Sequence, residues 1–432
     1  MVLIRRMLFV LLLPCFSFPA AYAEEEGDRT FQCHLDLGVG LAEIEDTGGG
    51  NNTFQRLSLL PRASAGRFSF GLDLTLDFDD DFALRDLDGN GKPDDWSEPS
   101  DLLYKVSSLR YGRPEDPLRM RVSAIQDYSL GHGFIMAGFT NRLFEPYIRQ
   151  LGAVVEADGR GAGFPYADLR FVTEDVLDWD IIGVRTGFRP AARSTSPRLA
   201  AVTIGGTAVF DSDPEEDVLS EETGHPGDNP ASNAVSVLGG DIEIPLMIGE
   251  SAGLFLRADY AHISDAGSGF QTGLSYRAER VEFNGAIRFL GEEFTDHYFD
   301  PYYALDRSSK FDTLAGLRGA VGYDLGLALR FPRIARLSMR YEDVPEREDR
   351  RVVADVATLE KDGTKLSASV SYDRRNIAAF GDLFTLDDSL FVFALAYRVT
   401  GSVTIELAHR KTFQPAGEST DQTSVRTLFS LW

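Results

Sequence analysis

The chain has 432 residues, with 67 Asp or Glu against 43 Lys or Arg, for a formal net charge of −24. Such a charge repels phosphates and excludes nucleic acid as a partner. Mean hydropathy is −0.15, and past the N-terminus no apolar run of about 18 residues offers a transmembrane helix.

The N-terminus reads as a secretory signal. Arg5 and Arg6 form the basic region, residues 7–18 the apolar core, and Ala21-Tyr22-Ala23 the cleavage motif, which makes 1–23 a signal peptide. Residues 24–30 follow as an acidic leader, and 31–432 as a single domain. Cleavage leaves Cys33 alone, without a partner for an internal disulfide or a zinc cluster.

From residue 31 onward apolar and polar residues alternate. Leu35, Leu37, Val39 and Leu41 oppose His34, Asp36, Gly38 and Gly40. The clearest stretch is 67–79, where Phe68, Phe70, Leu72, Leu74, Leu76 and Phe78 interleave with Ser69, Gly71, Asp73, Thr75 and Asp77. A period of two predicts strands with one apolar and one polar face. The pattern recurs to the C-terminus and gives an all-β chain of about 18–20 strands, with about 16 as the lower count. No segment shows helical periodicity.

The connections carry more information than the strands. Taken in order they alternate between short turns, such as 63–66, 112–116 and 400–401, and variable ones. Every long insertion (80–101, 127–148, 211–233, 291–314 and 374–388) falls in the second set. This parity predicts a transmembrane antiparallel up-and-down β-barrel with short periplasmic turns and long external loops. Side chains fill the interior of a barrel of only about 8 strands. A larger one must turn its apolar face to lipid and line a lumen with its polar face.

Asp73, Asp77, Arg119, Arg121, Arg185 and Arg318 fall on the polar face. Opposed charges along a pore sort solutes by sign, although any single lumen charge more often pairs with a neighbour and holds water. Arg119 and Arg121 are the expected selectivity element, because they precede the insertion 127–148. In that insertion Gly131-His132-Gly133 lies in a glycine-rich apolar run suited to folding into the lumen as a constriction; a pair of extra short strands is the competing reading. The insertion at 291–312 holds Phe294, Tyr298, Phe299, Tyr302 and Tyr303. These rings either guide solutes or pack the loop against the wall, and packing is favoured because aromatics dominate it. Residues 211–228 carry eight carboxylates and no Lys or Arg, as expected of a solvated external loop.

Asp86, Asp88, Asn90, Lys92 through its carbonyl, and Asp94 match positions 1, 3, 5, 7 and 9 of an EF-hand-type loop, with Gly91 at the sharp turn. The twelfth position is Ser97 rather than Glu. The oxygen-only donor set predicts a structural Ca²⁺ site, with a solvated acidic turn as the alternative.

The architecture resembles that of the bacterial outer-membrane porin class. The resemblance implies passive diffusion of small hydrophilic solutes and residence in the outer membrane of a Gram-negative-type bacterium. It also implies contact with lipid and lipopolysaccharide, and recognition of the terminal aromatic Trp432 by the assembly machinery. The apolar set Val425, Thr427, Phe429 and Leu431 runs one position out of phase with Trp432. Oligomeric state is left open. A non-conducting structural or adhesive barrel with a calcium-ordered loop is the alternative. An enzyme is disfavoured, since H-E-x-x-H and P-loop motifs are both missing.

Overall fold

The computed structural model describes residues 31–45, 51–86, 93, 96, 101–143, 145, 149–164, 166–214, 234–347, 349–359, 364–384, 388–413 and 419–431. The signal peptide and acidic leader lie outside the described residues. The strands are β1 (Phe31–Glu45), β2 (Asn51–Ala65), β3 (Phe68–Leu72), β4 (Leu74–Phe78), β5 (Val106–Tyr111), β6 (Leu118–Ser123), β7 (Gly152–Asp158), β8 (Ala167–Thr173), β9 (Ile181–Phe188), β10 (Thr203–Asp211), β11 (Val235–Ile248), β12 (Ala252–Ile263), β13 (Ser268–Ala278), β14 (Val281–Leu290), β15 (Ala320–Phe331), β16 (Ala335–Val344), β17 (Asp349–Thr358), β18 (Leu366–Arg374), β19 (Ser389–Arg398), β20 (Val403–Phe413) and β21 (Ser419–Ser430).

Apart from β3 and β4, which both pair with β2, each strand pairs antiparallel with its sequence neighbours, and β3 pairs with β5. β1 pairs with β21 (Asp36 opposite Ser430, Leu37 opposite Phe429), which closes the barrel and removes its edges. β3 and β4 are two halves of one stave, because their register against β2 is continuous: Arg62 faces Gly71 and Leu59 faces Leu74. Pro61, which has no N–H to give, falls in the gap between them. The barrel therefore has 20 staves, at the top of the expected range and above the lower count of about 16. An even number puts both chain ends at the short-turn end.

The alternation works as the period predicts. Val39, Leu41, Leu238, Tyr260, Phe289, Leu325, Leu327 and Phe429 point outward and are exposed. Their neighbours Asp36, Asp241, Asp259, Arg288 and Asp324 point inward and are buried or paired. Twenty tilted staves about 4.8 Å apart give a backbone radius of about 20 Å, far wider than strand side chains fill.

Three expectations need correction. The alternation expected to recur to the C-terminus is broken before β5, where the chain forms a helical turn, Asp101–Tyr104, and becomes strand only at Val106. It is broken again before β10, which starts at Thr203 after a helical turn, Pro197–Ala200. A 12-residue helix, Tyr303–Leu314, stands where no helical period was found. Its buried residues are Tyr303, Arg307 and Leu314. A face built round an arginine leaves no apolar stripe to read.

Candidate functional site

The inner wall is a mesh of paired charges. Arg56 grips Asp77 with two hydrogen bonds of 2.7 Å, and Arg85 adds a contact at 3.7 Å. Asp73 interrupts the stave at the β3–β4 break; its carboxylate pairs with Arg149 at 2.9 Å and accepts from Thr75 at 2.5 Å. Arg185 forms a bidentate pair with Asp241, one arm of it 2.9 Å long, and donates to Thr207 at 3.1 Å. Asp73, Asp77 and Arg185 therefore face inward as expected and are already satisfied.

Arg119 and Arg121 face inward on β6, opposite Glu156 and Val154. Arg119 pairs with Glu156 at 2.9 Å. Arg121 stands directly across from Arg110 on β5, and neither makes an ion pair among the described residues. Two adjacent uncompensated guanidiniums form a positive patch on the inner wall near the short-turn end. Arg318 sits elsewhere. It precedes β15, is exposed at the long-loop end, and its carbonyl accepts from Arg347.

The insertion expected to constrict the lumen does fold inward. Leu130, Phe134, Ile135, Met136 and Phe139 are buried against Val172, Ile181, Val209, Val237 and Ile263 on the inner wall. The competing pair of short strands is reduced to one isolated antiparallel bridge, Tyr128 to Phe139. Gly131 has φ +63°, and a Cβ there would lie 2.6 Å from the Arg185 guanidinium, so both backbone shape and contact require glycine. His132 reaches the wall between β11 and β12. Its Nδ1 lies 2.9 Å from Asp259 and its Nε2 3.6 Å from Glu243. Burial pulls the imidazole pKa down, but hydrogen bonds to Asp259 and Glu243 and the charge of Asp259 and Asp241 push it up to about 9. His132 is therefore a cation at neutral pH and pins the loop to a carboxylate wall. The three acids in turn hold Arg185, Arg277 and Gln271, so the donors that might hold a metal here are engaged.

A second insertion interlocks with the first. The Phe299 and His297 amides donate to the carbonyls of Ile135 and Phe134 at 3.1 and 3.0 Å, and Ala137 donates back to Phe299 at 3.1 Å. Phe294, Tyr298, Phe299, Tyr302 and Tyr303 are all buried, so the rings pack the loop rather than guide solutes. The helix Tyr303–Leu314 then bridges the lumen. At one side Arg307 and the Tyr303 hydroxyl bond Asp211 of β10, at 2.5–2.9 Å. At the other, Asp306 pairs with Arg375, and the Tyr302 hydroxyl donates to the Asp373 carbonyl at 2.9 Å. Buried charge at both ends fixes the helix across the barrel. Spacing along the chain carries no signal of this, since Arg307 and Asp211 lie 96 residues apart.

The two loops share one apolar core, packed against the wall from β7 to β16. On the other side of the barrel the inner wall carries small residues, among them Ala394, Ala396, Ala408, Ser369 and Gly38; Ala408 and Ser369 are exposed. Of the proposed calcium ligands only Asp86 is described; Asp88, Asn90, Lys92 and Asp94 lie outside the described residues. Beside Asp86 is a cavity of about 720 Å³ lined by Asp79, Asp80, Asp81 and Asn52.

No family model and no curated protein matches the chain. Among solved structures it is similar to OpdL of Pseudomonas aeruginosa, at 13% identity and a TM-score of 0.35, with 93% of this chain and 99% of that chain covered. It is also similar to the outer membrane protein OprD of the same organism, at 10% identity and TM-score 0.36, covering 95% of each chain. A mutant of the Rhodopseudomonas blastica porin aligns at 9% identity and TM-score 0.29, covering 93% of this chain and 100% of that one. Likeness this distant assigns no family.

Proposed function

We propose that the chain is a porin-like channel of a bacterial outer membrane, passing small hydrophilic solutes by diffusion through a charged, loop-narrowed lumen. The observation that carries this reading is the inverted barrel: 20 staves closed on themselves, apolar outside and charged inside. A closed barrel satisfies its backbone internally, and an apolar outer belt over a polar interior suits lipid outside and water within. The short-turn end then faces the periplasm and the long loops face outward. Processing of residues 1–23, contact with lipopolysaccharide and a structural Ca²⁺ at 86–95 belong to the same proposal.

The interlocked loops occupy the external half of the lumen on the β7–β16 side, and solutes pass along the remaining wall of small residues. That path runs by Arg110 and Arg121, whose uncompensated charge favours anions. Liposome swelling tests the reading: vesicles holding the protein should swell in small neutral and anionic solutes, while rates no higher than in protein-free vesicles would reject it. A second reading, a non-conducting barrel that displays its loops, is favoured by the buried aromatic core at Phe294–Tyr303 and by the charge locks at Asp211 and Asp306. It predicts intact barrels that pass nothing.

A further inference from the structure

The two ends of the barrel carry opposite charge. The long connections hold most of the acids, with dense runs at 79–81, 174–180 and 211–228. In the described short turns Lys and Arg outnumber Asp and Glu. The excess is densest between β9 and β10, where residues 189–202 carry Arg189, Arg193 and Arg198 and no acid. The Arg193 and Arg198 side chains are exposed and make no ion pair among the described residues. Acids on the neighbouring turns are already engaged: Asp116 pairs with Arg67 at 3.2 Å, and Asp158 accepts from Arg160 at 2.8 Å.

The backbone that presents these arginines is held turn by turn. The Ala192, Ser194 and Ala200 amides donate to the carbonyls of Arg189, Ala191 and Ser196 at 3.3, 2.8 and 3.0 Å, the last of them within the helical turn Pro197–Ala200. The Arg189 amide donates to the Tyr166 carbonyl at 2.9 Å, and its guanidinium lies 5.8 Å from the centre of the Tyr166 ring. Those contacts join the connection to the β7–β8 turn. A backbone fixed in advance presents its charges without the ordering cost of a loose loop.

A second, independent feature coincides with the charge. Phe164, Leu199 and Ile334 are 70%, 55% and 70% exposed. They stand on three different short turns, β7–β8, β9–β10 and β15–β16, and each has an arginine close by in sequence: Arg160, Arg198 and Arg333. An apolar tip on a turn is unfavourable in water. At a membrane boundary the tip enters the acyl region while the neighbouring cation stays among the headgroups.

We propose that the short-turn rim, centred on Arg193, Arg198 and Leu199, is a docking surface for anionic phospholipid headgroups such as phosphatidylglycerol. The guanidiniums meet the phosphodiester, and the apolar tips enter the acyl boundary. Tips on turns spread round the rim fit a continuous lipid layer better than one compact protein face. The acidic long-loop end repels the same headgroups, so recognition is one-sided. The proposal rests on the membrane placement given above.

The test uses full-length protein in nanodiscs of mixed phosphatidylcholine and phosphatidylglycerol, with the lipids it retains counted by native mass spectrometry. Each arginine at an anionic leaflet contributes about a fivefold preference, so phosphatidylglycerol should be enriched about tenfold or more over its bulk ratio. Arg193→Gln with Arg198→Gln should return it to near the bulk ratio, and Arg193→Lys with Arg198→Lys should keep the enrichment. Arg330 and Arg336 face each other on the inner wall at the same end; Arg330→Gln with Arg336→Gln removes equal charge and should also keep it. Enrichment that survives Arg193→Gln with Arg198→Gln, or that is lost equally with Arg330→Gln and Arg336→Gln, would overturn the proposal. Loss of polyglutamate binding with phosphatidylglycerol enrichment intact would assign the rim to an acidic protein and overturn it too. Inserted protein without enrichment sinks the docking surface alone, whereas protein that enters bilayers of neither composition sinks the membrane placement and the proposal with it.

Discussion

His132 latches the infolded loop to the inner wall. The imidazole faces Asp259, Glu243 and Asp241, with Arg185 and Arg277 behind them. Its pKa is raised from 6.5 to about 9 in the docked loop. A raised pKa stabilises docking fully below pH 6.5; the contribution declines between 6.5 and 9 and is gone above. A displacement of that size corresponds to about 3 kcal/mol. Hydrogen bonds to charged groups independently contribute about 1.5–3 kcal/mol. Because Asp259 keeps Gln271 and Glu243 keeps Arg277, His132→Ala strands no bare carboxylate, and a loss of about 2 kcal/mol is expected. That is a roughly 30-fold rise in local opening. Hydrogen exchange reads it at the Gly133 and Ala137 amides, which bond the Leu130 and Phe299 carbonyls. Their protection should fall by that factor in His132→Ala at about pH 6, and in the wild type between about pH 6 and about pH 9.5 after correction for intrinsic rates. Unchanged protection in both cases would refute the latch.

Other expectations follow from the same geometry. Arg119→Glu with Arg121→Glu should shift the zero-current potential in a salt gradient toward cation selectivity; an unchanged potential removes these residues as the filter. Arg307→Ala leaves Asp211 buried without its main partner and should cost about 3–5 kcal/mol, read as a lower urea midpoint together with larger conductance. Gly131→Ala should disturb the Arg185–Asp241 pair and loosen the loop, raising protease cleavage within 127–143. Calorimetry with Ca²⁺ should give binding heat in the wild type that Asp88→Ala abolishes; equal heats would leave 86–95 a plain acidic turn.

The strands are legible because their environment is two-sided. An exposed apolar face outside and charge inside impose a period of two on Leu35, Leu37, Val39 and Leu41 and on Val321, Tyr323, Leu325 and Leu327 alike. The infolded loop is legible from composition, since the run from Leu130 to Met136 is too apolar to sit in water. What holds it there is not. His132 finds Asp259 127 residues later, and Arg307 finds Asp211 across the barrel. Single-sequence reasoning sees neighbours along the chain, and these pairs exist only once the barrel has closed. The helical turn before β5 escapes it too: among the described residues β4 pairs with β2 alone, and Asp101–Tyr104 turns helical beside it instead of joining the sheet.

A passage that remains beside the interlocked loops will show itself in single-channel recording in planar bilayers. Discrete conductance steps are expected, with anions more permeant than cations and larger steps in His132→Ala. Barrels shown to be folded and inserted, yet giving no steps at any voltage in either protein, would contradict it.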